Sequence, residues 1–236
     1  MLTSPVKKSV SGFTILELAI VLLIVAALTA SLLGPFTNYL YQRQVAETDK
    51  SLDEIKEALL GFAAANGRLP YPGLTGVGLE DATTCTGTNN SDYCSGVIPW
   101  QVLGIARTDA WNKPFRYSVS YPFADPSKPI KFTLQDKSSL SVNMRDPGAA
   151  GLVSIASKVP TIVWSAGRRN TGVPANVDEI TNENLFTHNL LPIKAFVVTR
   201  QYAEAGAVGG EFDDLVVWVP APVLFNRLLS AGQTLN

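Results

Sequence analysis

The sequence predicts an α+β protein in which a long N-terminal helix packs on an antiparallel β-sheet domain. Residues 13–35 are almost wholly apolar, and residues 36–66 place apolar side chains at helical spacing. The rest of the 236-residue chain has short β-branched runs separated by glycine, proline and asparagine. The chain is 46% apolar with a net charge of -1, so it can bury a core, and its charge balance indicates neither nucleic acid nor an acidic surface as a partner.

The apolar segment from Phe13 to Leu33 has the length of a membrane span, because its 21 residues extend about 31 Å as a helix. Lys7 and Lys8 precede it, and the positive-inside bias then leaves the N-terminus cytoplasmic and the later residues outside. A cleaved secretory signal fits less well, because its apolar core would be shorter and would end in an A-x-A pattern of small residues. We therefore expect the first half of the helix to be transmembrane.

Glu17 interrupts this apolar segment. A charge near the centre of a helix in lipid costs about 2.5 to 3.5 kcal/mol, which an ordinary membrane anchor does not explain. Cleavage between Gly12 and Phe13 would create an α-amino group one helical turn from Glu17. In a second copy staggered by about one turn, that amine would come level with Glu17, and the two charges would neutralise each other. The glutamate would then set the register between subunits.

These residues carry a family resemblance. The stretch KKSVSGFTILELAIVLLIVAAL resembles the N-terminus of type IV prepilins and of type II secretion pseudopilins, with a basic leader, Gly12, Phe13 and a helix whose fifth mature residue is Glu17. The resemblance implies a pilin-like fold, cleavage after Gly12 by the prepilin peptidase, N-methylation of Phe13 and filament assembly with other pilins or pseudopilins. Pro35 matches a position where such helices often bend, and a proline there removes one backbone donor.

The resemblance also implies a location and a division of the chain. It places the protein in the bacterial inner membrane as a single-pass protein with a periplasmic C-terminal domain, and later in a pilus or pseudopilus. The four parts are a cleaved leader (1–12), a transmembrane and assembly helix (13–35), the amphipathic second half of the helix (36–66) and an extracytoplasmic β-rich domain (67–236). The size of the last part favours a minor subunit. A membrane-anchored periplasmic binding module that does not polymerise is the alternative.

Periodicity and turn residues predict the remaining elements. The second half of the helix should bury a stripe formed by Tyr41, Val45, Thr48, Leu52, Ile55, Leu59 and Phe62, and should end at a left-handed cap on Asn66-Gly67. Strands are predicted over residues 115–120, 130–134, 140–143, 161–164, 195–199 and 215–219. A last helix over residues 222–230 should bury Leu224, Leu228 and Leu229 and end at Gly232.

Cys85 and Cys94 are the only cysteines, and they flank a polar stretch. With a single histidine in the chain, they cannot complete a four-ligand zinc site by themselves. A disulfide is the preferred interpretation and favours an oxidising compartment, whereas two unpaired thiols are the alternative.

The stretch DAWNKPFRYSVS, Asp109 to Ser120, resembles the first hairpin of the major pseudopilin, where an Asp-Pro-Trp-Gly-x-Pro pattern is usual. Ala110 and Asn112 replace the proline and the glycine of that pattern. Asp109 and Asn112 favour a turn, so we interpret the motif as structural.

The major pseudopilin also holds calcium in a late loop with a Ser-x-Gly-x-Asp pattern. The comparable stretch, Ser165 to Gly172, has Arg168 and Arg169 in place of the acid, and two cations disfavour an ion that needs oxygen ligands. Carboxylates elsewhere could still bind calcium: Asp178, Glu179, Asp213 and Asp214. No other cofactor is expected, and Asp213 and Asp214 are the candidate ligands.

Arg168 and Arg169 also suggest DNA binding, because some minor pilins bind DNA through exposed basic loops. Two arginines neutralise few phosphates, so a solvated turn is the preferred interpretation, and nucleic acid is not an expected partner. No nucleophile elbow, phosphate-binding loop or HExxH motif occurs in the sequence, so we expect no enzymatic activity.

Overall fold

The computed structural model describes residues 12, 14–85, 93–126, 138, 140–145, 151–169, 177–187, 195–204, 206–207 and 210–233, with residues 31–35 described by their backbone alone. The helices are α1 (Ile15–Asn66), α2 (Trp100–Leu103), α3 (Tyr121–Ala124), α4 (Val177–Thr187) and α5 (Ala221–Ser230). The strands are β1 (Tyr93–Val97), β2 (Arg116–Ser120), β3 (Ser141–Arg145), β4 (Leu152–Ser157), β5 (Thr161–Ser165), β6 (Phe196–Thr199) and β7 (Leu215–Val219). The chain therefore has the predicted α+β class, with a helix of 52 residues at its N-terminal end.

The chain divides into two compact units, residues 1–43 and 44–236. Within the described residues, no helix is both long and apolar enough to cross a membrane. This finding contradicts the expected location as a single-pass inner-membrane protein and the expected transmembrane role of residues 13–35.

Four strands of the second unit form an antiparallel sheet in the order β1-β2-β5-β7. One row across this sheet joins Tyr117 of β2, Val163 of β5 and Val217 of β7. Because successive side chains of a strand point to opposite faces, this row lies on one face, and its neighbours in β5, Ile162 and Trp164, lie on the other. The prediction of an antiparallel sheet is confirmed for these strands.

Three further strands form a second sheet in the order β4-β3-β6. Strands β3 and β4 are antiparallel with a bulge between Val142 and Asn143, whereas β3 and β6 are parallel. The predicted antiparallel arrangement does not hold for β3 and β6. Parallel strands need a long crossover connection, and α4, which the sequence analysis did not predict, lies between them in the chain.

The first hydrophobic core lies between α1 and one face of the four-stranded sheet. The predicted stripe is confirmed at its centre, where Leu52, Ile55 and Leu59 are at most 1% exposed. They belong to the same cluster as Tyr117 and Val163 of the sheet. Helix α5 completes this cluster through Leu224 and Leu228. The second half of α1 therefore packs on the sheet, as expected.

The second hydrophobic core covers the opposite face of the four-stranded sheet. Ile162 and Trp164 of β5 pack there with Val142 of β3, Leu185 of α4 and Val197 of β6. All five residues of β5 are buried as a result. The four-stranded sheet is thus covered on both faces, and α4 is held against it by Leu185.

Several local predictions have a clear outcome. Gly67 has φ +67° and its N–H donates to the carbonyl of Ala63, as expected for a left-handed cap. Leu229, predicted to be buried, is 56% exposed. Leu224 and Leu228 are four residues apart and share one face of α5, and the residue after Leu228 turns away by about 100°. The strand predicted over residues 130–134 lies outside the described residues.

Cys85 and Cys94 form the predicted disulfide, with their sulfur atoms 2.11 Å apart. Cys85 ends a short 3-10 helix, Ala82–Cys85, and Cys94 is the second residue of β1. Cys94 is fully buried in the first core. The bond therefore fastens the segment before β1 to an edge strand of the four-stranded sheet.

Candidate functional site

The first candidate site is the N-terminal end of α1. The backbone N–H of Glu17 donates to Oγ1 of Thr14 over 3.2 Å, which caps the helix. Glu17 is exposed in the first turn, where the helix dipole favours a carboxylate. Gly12 is exposed beside it, and Phe13 lies outside the described residues. The predicted cleavage position therefore precedes the capped first turn directly.

Apolar side chains surround Glu17 on every side of the helix. The large ones from Ile15 to Val25 are all at least 50% exposed in the structure. A helix that is apolar all round is normally covered by other apolar groups. The backbone of α1 stays helical through Pro35, whose side chain lies outside the described residues, so the bend expected there stays a prediction.

The second candidate site is a polar cluster at one end of the four-stranded sheet, and it starts at the turn from Asp109 to Lys113. Oδ1 of Asp109 accepts hydrogen bonds from the N–H groups of Trp111 and Lys113, each at 2.9 Å. Asn112 adopts φ +64°, a conformation that asparagine tolerates better than most residues. Asn112 thus supplies the left-handed backbone conformation that this turn contains.

The loop after β5 packs on this turn. Oδ2 of Asp109 accepts a hydrogen bond of 2.5 Å from Oγ of Ser165, and the ammonium group of Lys113 donates to the carbonyl of Ala166 over 3.1 Å. The same ammonium group donates to the carbonyl of Arg169. In the stretch compared with the calcium loop of the major pseudopilin, the ammonium group of Lys113 thus binds two backbone oxygens, and its positive charge disfavours a metal ion beside them.

Gly167, in the same loop, has no room for a side chain. It adopts φ +55°, and a Cβ there would lie 2.2 Å from the carbonyl oxygen of Asp213 and 2.5 Å from Oδ1 of that residue. The loop can therefore approach the residues before β7 only because position 167 is glycine.

Gly167→Ala is expected to lower the free energy of unfolding by about 2 to 4 kcal/mol, the sum of backbone strain and a clash with backbone atoms. Chemical denaturation monitored by circular dichroism measures it. Gly104→Ala, at φ +66° with open space around it, should cost only the strain, and Gly61→Ala, in the open on α1, should stabilise the chain by about 0.5 to 1 kcal/mol. Equal effects at positions 104 and 167 would contradict the close approach.

Three carboxylates meet beside this loop: Glu179 of α4, Asp213 and Asp214. One oxygen atom from each lies within 4.8 Å of the others. Hydrogen bonds fix all three side chains: Oε1 of Glu179 accepts from the N–H of Asp213 at 2.8 Å, Oδ2 of Asp213 from the N–H of Arg169 at 2.9 Å, and Oδ2 of Asp214 from Nδ2 of Asn182 at 2.8 Å. We call Glu179, Asp213 and Asp214 the acidic cluster.

Burial controls the protonation of the acidic cluster. It raises the pKa of Asp214 to about 8, and the hydrogen bond from Asn182 only partly offsets it. Burial also raises the pKa of Glu179, and the negative charge of Asp213 acts in the same direction. Without a cation, the cluster therefore retains protons at a pH where exposed carboxylates have lost theirs.

The other sequence candidates have different surroundings. Asp178 pairs with Arg145, whose Nη2 lies 2.7 Å from Oδ1, so this acid is neutralised apart from the acidic cluster. Arg169 forms an ion pair with Glu211, whereas Arg168 is exposed. The two adjacent arginines therefore do not form one basic patch, and DNA binding by them stays an untested hypothesis.

The structure thus has two candidate sites. One is the exposed apolar part of α1 with the carboxylate of Glu17, and the other is the buried acidic cluster. No protein-family model, no curated protein and no solved structure matches the chain. The resemblance to prepilins therefore rests on residues of the sequence.

Sequence reasoning named Glu179, Asp213 and Asp214 among four candidate carboxylates, but it did not predict α4, the helix that carries Glu179. Glu179 and Asn182 lie three residues apart on α4, so they share one face, and Leu185 continues it. The spacing of 179, 182 and 185 was the available signal. Lys113 could not be found in this way, because its partners at Ala166 and Arg169 are 53 and 56 residues away.

Proposed function

We propose that the chain is a non-enzymatic, minor subunit of a type IV pilus or a type II secretion pseudopilus. It is processed by the prepilin peptidase and joins other pilins or pseudopilins through its N-terminal helix. The observation that carries the proposal is the end of α1, where an exposed apolar surface contains one carboxylate a single turn from the predicted cleavage position.

The exposed apolar side chains of α1 would be stabilised by contact with apolar helices of other subunits. Fully covering one leucine, isoleucine or valine side chain is worth about 1.5 to 3 kcal/mol, and α1 exposes many of them between Ile15 and Leu28. Parallel packing of the same helix from other subunits covers this surface on all sides. A binding module with one partner would need apolar residues on one side of the helix alone.

Glu17 gives the packing its register. In the processed chain, the α-amino group of Phe13 and the carboxylate of Glu17 are separated by one turn of helix. A neighbouring subunit displaced by that turn brings opposite charges together, and any other displacement leaves a carboxylate among apolar side chains. The pair thus selects one axial displacement.

The competing function is a binding module that does not polymerise. It explains the folded unit of residues 44–236 equally well, including the acidic cluster. It provides no reason for a glycine, a phenylalanine and a glutamate at this spacing before an apolar helix. The N-terminal chemistry of the mature chain therefore separates the two functions.

The test is intact-mass spectrometry of the chain recovered from sheared filaments of cells that produce it together with its assembly machinery. We expect a chain of residues 13–236 with one methyl group on the amine of Phe13. Gly12→Val places a branched side chain at the cleavage position, where a Cβ meets no atom within 4 Å, and should leave residues 1–12 attached. A chain that still begins at Met1 in the filaments, or its absence from them, would refute the proposal.

A further inference from the structure

We propose that strand β4 pairs, in antiparallel orientation, with β4 of a second copy of the chain. Strand β4 (Leu152–Ser157) forms one edge of the three-stranded sheet, where its hydrogen-bonded neighbour is β3. The pairing would join two three-stranded sheets into one sheet of six strands. The inference goes beyond the proposed function and does not depend on filament assembly.

The first reason is the backbone edge of β4. Among the residues that the structure describes, β3 alone pairs with β4, in a ladder from Leu152 to Ser157. On the other side of an edge strand, N–H and C=O groups point away from the sheet, and another extended backbone can bind them in a regular row. The kind of partner that fits this edge is therefore an extended segment of protein.

The second reason is the exposure of apolar side chains along the strand. No residue of β4 is buried, and Leu152, Val153 and Ile155 are 37%, 54% and 42% exposed. Met144 of β3, which lies beside Val153, is 41% exposed and extends the apolar surface to the next strand. A second strand beside β4 would remove part of this apolar area from water, which stabilises the pairing.

The third reason is that β4 has few of the features that keep edge strands from pairing. Natural edges are blocked by charged residues, by prolines or by bulges. The sequence of β4, LVSIAS, contains no charge and no proline. It has one bulge, at Ile155, which has no counterpart on β3. The residues on both sides of Ile155 remain in the strand, so the edge is bent but not interrupted.

The absence of charge from β4 favours a second copy of the chain as the partner. Two antiparallel copies bring no like charges opposite each other, whereas a charged edge would repel its own copy. In a register centred between Ser154 and Ile155, each of these residues lies opposite the other in the second copy. Lys158, the first charged residue after β4, then lies beyond the paired residues at each end. Because this contact is symmetric, it closes on two chains.

Hydrogen–deuterium exchange tests the pairing, because the outward N–H groups of β4 exchange slowly only when they are hydrogen-bonded. The experiment uses the full-length chain in mild detergent, with micelles in excess, because α1 exposes apolar side chains. A standard interface buries about 800 Å² per partner and one short strand covers less, so we expect a dissociation constant of about 10 to 100 µM. Exchange in residues 152–157 should then be at least about threefold slower at about 300 µM chain than at about 1 µM.

Ser154→Lys places a cation on an exposed position of β4, where it faces the same cation of the second copy. Its exchange should not depend on concentration, and the same holds for Ser154→Glu. Mixing the two variants should restore slow exchange, because opposite charges then meet, and this restoration shows that both variants are folded. Ser230→Lys, the same change on an exposed part of α5, should behave like the wild type.

A wild-type chain whose exchange in residues 152–157 does not depend on concentration would overturn the inference. Slow exchange already at the lowest concentration belongs to this outcome, since β4 would then be paired within one chain. Slowing with concentration that persists in both variants of Ser154 would overturn it as well, because association would then occur through another surface, such as the apolar part of α1.

Discussion

Glu17→Ala is expected to reduce incorporation of the chain into filaments to background. In the proposed assembly, the carboxylate neutralises the α-amino group of Phe13 on the neighbouring subunit. Without Glu17 that amine stays buried without a partner charge, which costs about 3 to 5 kcal/mol at each contact. Since every subunit repeats the contact, even the lower value is enough to prevent stable insertion.

Filaments sheared from producing cells and probed by immunoblotting measure this effect. Glu17→Gln keeps the size of the side chain without its charge and should fail as well, which separates charge from packing. Glu47→Ala removes an exposed carboxylate from another part of α1 and should be incorporated like the wild type. Normal incorporation of Glu17→Ala would disprove the proposed role of Glu17 in assembly. It would do so even if the wild-type chain is a filament subunit.

In the absence of divalent ions, the chain is expected to lose stability as the pH rises from about 5 to about 8. The pKa of Asp214 is about 8 in the folded state against an ordinary value of 3.8. Between these values the folded chain binds a proton that the unfolded chain has released, so each added pH unit costs up to about 1.4 kcal/mol. The raised pKa of Glu179 changes the stability in the same direction. The positive charge of Arg116 lowers the pKa of Asp214 and so reduces the effect.

Urea denaturation in EDTA at several pH values measures the slope. Asp214→Asn cannot ionise, so it should be less sensitive to pH and more stable than the wild type at about pH 8. Asp53→Asn, on an exposed part of α1, should follow the wild-type curve. An unchanged slope in Asp214→Asn would mean that the buried carboxyl is not the group that titrates.

Local patterns were sufficient for much of the fold. The helical stripe around Leu52 and Leu59 and the apolar run of β5 each depend on neighbours in the sequence, and both occur as predicted. Asn112 was placed in a turn for the same reason, because its conformational preference is local.

Long-range features were not predictable from the sequence. Helix α4 has few apolar residues, and its inward side combines Asn182 with Leu185, so its pattern does not stand out. The parallel pairing of β3 with β6 follows from that missed helix. Glu179, Asp213 and Asp214 were all named as candidate carboxylates, but the sequence could not show that Glu179 joins the other two across 34 residues through a backbone hydrogen bond.

Two hydrogen bonds hold the C-terminal end of the unit of residues 44–236 against α1. Nε2 of Gln233 donates to the carbonyl of Ala64 over 3.0 Å, and Arg227 of α5 reaches Glu57 of α1 at 2.7 Å. During synthesis, the apolar stripe of α1 emerges early and receives its last cover only when Leu224 and Leu228 have been made. A prematurely terminated chain therefore leaves the apolar stripe of α1 exposed, and we expect it to be a target for proteolysis.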